Sequence, residues 1–321
     1  MRWLFLSLCC LVAAPVWAQA TPDPLQWLQR VATSAERLNY SGVFVYRSGG
    51  NTETSRIAHF ADGDHEFEHI EMLDGSPREV VRDRDEVKCY LPEYRLVVVE
   101  HRNARRAFPA MLPAGLAGLT DFYVFRKGVA GRVAGHETQA IVVEPRDELR
   151  YGRQFWVDTA SGLLLKASLI DDKGETRENF SFTEVKIGIP LDREQIRNGA
   201  KPQGSDWRVQ NVRSVEFKPD ESPWVFRNML PGFRVVSGMR RQVRPDAPEV
   251  THMMLTDGLG AISVFIEPQV AGKARAEGGV FSMGALNVYR RPLGEFQLMV
   301  MGDVPMLALK RLGDGLEARR K

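Results

Sequence analysis

Between residues 40 and 187 the chain consists largely of short β-branched and aromatic runs, cut at regular intervals by turn-forming residues. Tyr40-Ser41-Gly42-Val43-Phe44-Val45-Tyr46 ends in Ser48-Gly49-Gly50-Asn51, and similar runs follow at 54–60, 66–73, 78–82, 86–91 and 94–101. The pattern resumes at 121–127, 139–144, 153–158, 163–169 and 178–187. Between the runs lie polar turns such as Ala61-Asp62-Gly63-Asp64, Asp74-Gly75-Ser76-Pro77, Thr159-Ala160-Ser161-Gly162 and Asp171-Asp172-Lys173-Gly174. These turns are too short to hold the crossover helices that parallel strands require. The chain must therefore build a large, meandering antiparallel sheet, and the fold class is α+β, mostly β.

One helix precedes the sheet. Asp23-Pro24-Leu25-Gln26 joins an N-cap residue, a proline at the first helical position and a glutamine three residues after the cap. Leu25, Leu28, Val31, Ala32, Ala35 and Leu38 then recur at helical spacing, so one apolar face needs the sheet to cover it. Residues 102–120 interrupt the strands with Arg105-Arg106 and the apolar run Phe108-Pro109-Ala110-Met111-Leu112-Pro113-Ala114-Gly115-Leu116. This run either completes a core or forms a lid over an apolar cavity, with Phe108, Met111, Leu112 and Leu116 as its contact residues.

The text turns polar from Leu191 to Trp207, with Asn198-Gly199, Pro202 and Gly204-Ser205, which places a linker at 196–213 between domains at 19–195 and 214–321. In the second domain Ser222-Pro223 is expected to open a short helix through Leu230, ended by Pro231-Gly232. Strands are expected at 233–244, 249–256, 261–267, 284–290 and 295–301, a helix at 304–312, and a frayed basic tail from Leu316 to Lys321.

At the N-terminus, Arg2, the apolar stretch Trp3–Val16 and Val16-Trp17-Ala18 form the pattern of a secretory signal peptide over residues 1–18. The apolar run is shorter than the roughly 20 residues that a membrane-spanning helix needs. Cleavage removes Cys9 and Cys10 and leaves Cys89 alone, so no internal disulfide is expected. Charge is nearly balanced, 43 basic against 41 acidic residues, and points to no nucleic-acid partner.

Catalytic patterns are sparse. The densest ligand cluster, His59, Asp62, Asp64, His65, Glu66, Glu68, His69 and Glu71, spans two strands and their turn. His65 and His69 share one face of an extended strand but stand about 13 Å apart, too far for one ion, so the cluster reads as a solvated hairpin. The chain has no Gly-x-Ser-x-Gly elbow, phosphate-binding loop or Cys-x-x-Cys pair, and no cofactor, metal or catalytic residue is expected. Binding chemistry is better represented by Arg240-Arg241 and Arg290-Arg291, whose guanidinium groups suit carboxylates or phosphates, and by Phe233.

Several of these runs, taken together, resemble the RseB/MucB family of periplasmic regulators of sigma-E. They are Tyr40–Tyr46, Leu73-Asp74-Gly75-Ser76-Pro77-Arg78-Glu79-Val80-Val81-Arg82, Cys89-Tyr90, Gly232-Phe233-Arg234-Val235-Val236, Thr256-Asp257-Gly258-Leu259 and Val264-Phe265-Ile266-Glu267-Pro268. The resemblance implies a first domain like the lipoprotein carriers LolA and LolB, an unclosed antiparallel β-barrel with helices in its concavity, followed by a smaller, mostly β domain. It implies binding to the periplasmic part of a membrane anti-sigma factor (RseA or MucA), which hinders site-1 cleavage. Lipopolysaccharide or lipoprotein acyl chains would relieve that block. A lipid carrier and an envelope hydrolase stand as alternatives, and homo-oligomerisation stays open.

Overall fold

The computed structural model describes residues 23–63, 65–101, 118–190, 206–242, 248–269 and 277–319. The signal-peptide segment, the 108–116 run and residues 196–205 of the expected linker lie outside them. Helix α1 (Pro24–Arg37) begins where expected, with the Asp23 side chain accepting from Leu25 N and proline in the first turn. It buries Trp27, Leu28, Val31 and Ala35, and full burial of each large apolar side chain contributes about 1.5–3 kcal/mol.

The large sheet contains β1 (Tyr40–Ser48), β2 (Asn51–Asp62), β3 (His65–Met72), β4 (Glu79–Asp83), β5 (Glu86–Leu91), β6 (Leu96–His101), β7 (Tyr123–Val133), β8 (His136–Pro145), β9 (Gly152–Asp158), β10 (Leu164–Ile170), β11 (Thr176–Ile187) and β12 (Arg208–Asn211). Its strand order is β12-β6-β5-β4-β3-β2-β1-β11-β10-β9-β8-β7. Helix α1 packs against both β2 and β7, which stand far apart in that order, so the sheet curls around the helix. Its end strands β12 and β7 are not paired, and the barrel stays open. Among the described residues, twelve strands curled around helix α1 reproduce the expected unclosed antiparallel architecture, with β12 as a parallel exception on β6.

The second unit holds β13 (Arg213–Phe217), β14 (Trp224–Phe226), β15 (Arg234–Gln242), β16 (Val250–Thr256), β17 (Ala261–Pro268), β18 (Gly279–Met283), β19 (Leu286–Leu293), β20 (Phe296–Gly302), helix α2 (Met306–Asp314) and β21 (Leu316–Ala318). Seven of these strands form a sheet in the order β13-β15-β16-β17-β20-β19-β18, and β14 pairs with β21. Leu309, Leu312 and Val304 pack with Val264, Ile266, Leu298 and Val300 into its core.

Three local expectations fail. The segment 223–230 is not a helix: a 3₁₀ turn covers Pro219–Glu221, and Trp224–Phe226 pairs with Leu316–Ala318. Two successive residues, Val225 and Phe226, favour a strand, and the edge offered by β21 outweighs the capping signal. For the same reason the start of the basic tail is strand rather than frayed end, while Arg320 and Lys321 lie outside the described residues. The later half of the expected linker is strand as well. Arg208–Asn211 pairs with β6 and Trp207 packs edge-on against Tyr90, because β6 would otherwise expose a row of unpaired backbone groups.

Candidate functional site

On the side of the large sheet that faces α1, cross-strand neighbours line up in rows. One row runs Ile57–Ile70–Val80–Cys89–Val98 through consecutive register pairs. Ile57 is fully buried under α1, whereas Ile70, Val80, Cys89 and Val98 are only half-buried. Four strand spacings give this apolar strip a span of about 19 Å. Burial pushes the Cys89 thiol above its ordinary range, against the pull of Arg78. Met72 and Leu91 continue the strip into a groove of about 610 Å³ where the hairpin turns meet. Glu53, Asp74, Arg78, Glu93 and the exposed Tyr94 rim that groove.

The next row, Tyr40–His59–Glu68–Arg82–Val87–Glu100, overturns the solvated-hairpin reading. His59 and Glu68 are buried because Ser55, Ile57 and His59 alternate onto the helix side of β2. His59 stacks on Tyr40 with ring centroids 4.8 Å apart, and its two ring nitrogens lie 2.9 Å from Leu38 O and 3.2 Å from Glu66 Oε1. Arg82 donates to Glu68 at 2.9 Å. Burial works to lower the His59 pKa, but the hydrogen bond to Glu66, the charge of Glu68 and the Leu38 carbonyl together raise it. Burial raises that of Glu68, opposed by Arg82 and His59. Among the described residues no group of three His, Cys, Asp or Glu side chains is placed to hold a metal.

The row ends at the second unit, where Glu100 accepts a hydrogen bond from Arg241. A denser junction lies at β7–β9. Arg150 Nε donates to Asp257 Oδ2 at 2.7 Å, with both side chains fully buried. Tyr123 Oη donates to the same oxygen at 2.9 Å, and the other carboxylate oxygen accepts from Leu259 N and Gly260 N at 2.9 and 2.8 Å. The guanidinium also donates to Asp147 and to Pro231 O, and its carbon lies 4.4 and 5.1 Å from the ring centroids of Phe122 and Phe233. Burial, then the charge of Asp257, push the Tyr123 hydroxyl well above its ordinary range, so it stays a neutral donor. Gly232 sits between the units at φ +79°, and a Cβ there would fall 2.5 Å from the Phe122 ring. Arg153 bonds to Asp303, Asn287 donates to Tyr151 Oη at 2.9 Å, and Ala285 N donates to Ser48 Oγ at 2.8 Å. Arginine and aspartate each satisfied by several partners hold the two sheets in one arrangement, since separating them would expose unpaired charges.

The arginines singled out for binding lie in two separate places. Arg240 and Arg241 lie on β15 and Arg290 and Arg291 on β19, four strands apart and thus about 19 Å. Arg240 is exposed and weakly paired with Glu249 at 3.7 Å, and Arg241 joins Glu100 at the junction. Arg291 donates to Gly313 O and Leu316 O, closing the end of α2, while Arg290 stacks over Phe281 at 5.4 Å. Phe233 is buried in the junction, not displayed. Phe108, Met111, Leu112 and Leu116 lie outside the described residues, although Leu119, just after them, is part of the main core. Arg150, Arg153, Asp257 and Asp303 escaped sequence reasoning. Only Asp257-Gly258, legible as a turn, carried any signal, and nothing local tells an arginine that its carboxylate lies 107 positions away.

Residues 23–200 match the MucB/RseB N-terminal domain family and residues 218–317 the MucB/RseB C-terminal domain family. The sigma factor AlgU regulatory protein MucB of Pseudomonas aeruginosa is 30% identical over 96% of this chain and 95% of its own length. The sigma-E factor regulatory protein RseB of Escherichia coli K12 is 22% identical over 94% of this chain and 92% of its own. A crystal structure of MucB in complex with MucA(peri) superposes with a TM-score of 0.71 at 26% identity, covering 93% of this chain and all of that one. The two sheets and the order in which the chain builds them are thus shared over 93% of this chain, and the chain belongs to the MucB/RseB family.

Proposed function

We infer that this chain is a periplasmic regulator of a sigma factor and acts by binding, not by catalysis. Its partner is the periplasmic region of a membrane anti-sigma factor of the RseA/MucA kind, which it shields from site-1 proteolysis and so restrains a sigma-E-type envelope stress response. The observation that carries this reading is the likeness, over 93% of the chain, to MucB in complex with MucA(peri). Residues 1–18 serve as the export signal in this reading. The unit at 19–195 senses lipid, 196–213 connects, and 214–321 contacts the partner.

Release follows from linkage. The half-buried strip Ile70–Val80–Cys89–Val98 leads to a polar-rimmed groove, a form that suits an acyl chain whose headgroup stays in water. Lipopolysaccharide or a lipoprotein acyl chain bound there favours one arrangement of the two units and the anti-sigma factor another. Each ligand then weakens the other by the same factor.

The test is a cleavage assay with the purified chain, the anti-sigma periplasmic region and its site-1 protease. Cleavage should slow in proportion to occupancy and recover when lipopolysaccharide is added. Cleavage that proceeds unimpeded at saturating protein would remove the regulatory reading. Stoichiometric transfer of lipoprotein between vesicles would favour a carrier instead.

A further inference from the structure

The two large sheets have four outer edges, and three of them are blunted. β12 carries Arg208, β13 carries Arg213 and Glu216, and β7 carries Arg126, Lys127 and Arg132 with a break in register between Lys127 and Ala130. Charges and irregularities of this kind stop an edge from recruiting foreign strands. β18 has none of them. Its sequence, Gly279-Val280-Phe281-Ser282-Met283, holds no charge and no proline, and every residue in it is exposed. Val280, Phe281 and Met283 are exposed by 47, 40 and 57%.

The hairpin to β19 determines which backbone groups are free. Met283 and Leu286 flank a two-residue turn in which Gly284 takes φ +59°. That pair is hydrogen-bonded in such a turn, and the antiparallel alternation leaves the N–H and C=O groups of Ser282 and Val280 pointing away from β19. Two cations flank the edge. Arg290, paired with Gly279, stacks over Phe281 and reaches the Met299 sulfur. Arg177, from the first unit, donates to Asn287, the register partner of Ser282, and stacks against Tyr151. Among the described residues neither guanidinium lies against a carboxylate.

The geometry points to β18 as a docking strand for an extended segment of a partner polypeptide that carries apolar side chains and carboxylates. The segment adds to the sheet edge through the outward groups of Val280 and Ser282, places apolar residues against Val280, Phe281 and Met283, and brings carboxylates to Arg290 and Arg177. The turn beyond β18 touches the first unit through Ala285 N and Ser48 Oγ. A segment lying on this edge would therefore sit beside the contact between the two units. This proposal rests on the partner reading above and assigns that partner a surface.

The experiment measures binding of the fluorescently labelled anti-sigma periplasmic region to the full chain and to variants. Val280→Pro removes one outward N–H without touching the pairing to β19 and should weaken binding about tenfold, as should Arg290→Glu, each a loss on the scale of a strong hydrogen bond or ion pair. Val129→Ser, on the β7 edge, should change nothing. Amide exchange at Val280 and Ser282 in the wild-type chain should slow when the partner binds, a readout that does not depend on any variant folding. Wild-type affinity in folded Val280→Pro and Arg290→Glu, with unchanged exchange along β18, would overturn the docking strand while leaving the regulator reading intact. Absence of binding by the wild-type chain would overturn both. If sedimentation shows a dimer of the chain alone that Val280→Pro dissociates, the occupant is a second copy and the partner assignment is wrong.

Discussion

At the scale of single residues, the most consequential pair is Arg150 and Asp257, both fully buried and 2.7 Å apart. A buried ion pair contributes little beyond an apolar pair of the same shape, but breaking it by removing one partner leaves a stranded charge. Arg150→Met should therefore cost about 3–5 kcal/mol in denaturant unfolding. Arg150→Met combined with Asp257→Asn should recover much of that loss, because neither neutral side chain then demands a counter-charge. Strict additivity of the two single losses would show that the pair does not act as a unit. His59 provides the second residue-scale expectation. Its pKa is raised above 6.5, so its contribution to stability is fully present below pH 6.5 and is lost as pH rises through the folded value. Glu68 has the same sign from 4.5 upward, since it too is raised. Unfolding free energy should thus fall with increasing pH above 6.5, and His59→Gln should flatten that slope. An unchanged slope would show that His59 does not titrate between the two states.

At the scale of elements, most strands were legible because inward and outward residues alternate with period two and turns are spelled out in glycine and aspartate. Helix α1 was legible because its cap, proline and apolar spacing agree. β14 and β21 were not. Each is three residues long, too short for periodicity to speak, and each exists only because the other lies beside it. Arg291 belongs to this scale. Its guanidinium donates to Gly313 O at 2.8 Å and Leu316 O at 3.0 Å, tying the last turn of α2 to the first residue of β21. Arg291→Met should lower stability by about 1–2 kcal/mol, a charged hydrogen-bonding group discounted for partial exposure. Arg291→Lys should not fully restore it, because an ammonium cannot span two carbonyls as the planar fork does. Equal denaturation midpoints for wild type and Arg291→Met would rule out this tie.

At the scale of the molecule, sequence reading reached the unclosed sheet, the smaller second sheet and the family, but not the surfaces that join them. Its binding residues were chosen by type, and arginine is as useful inside a junction as on a surface. Arg241 faces Glu100, Arg291 closes a helix, and Phe233 lies beneath Arg150. Arg240 stays exposed beside Glu249, and Arg290 lies over Phe281 at the β18 edge. The polypeptide between the two sheets reinforces the junction. Val212 alone separates the last residue of β12 from the first of β13, and its N–H is itself held by Val99 O at 2.9 Å. One residue reaches about 3.5 Å, so the units cannot drift apart as beads on a string do. While the Arg150–Asp257 junction is closed they stay in one arrangement; a change of arrangement would have to break that junction and either turn about this single peptide or peel β12 from β6 one register pair at a time, as a zip opens. Either path would make the joint a mechanical gauge, movement of one sheet loading the rim of the other.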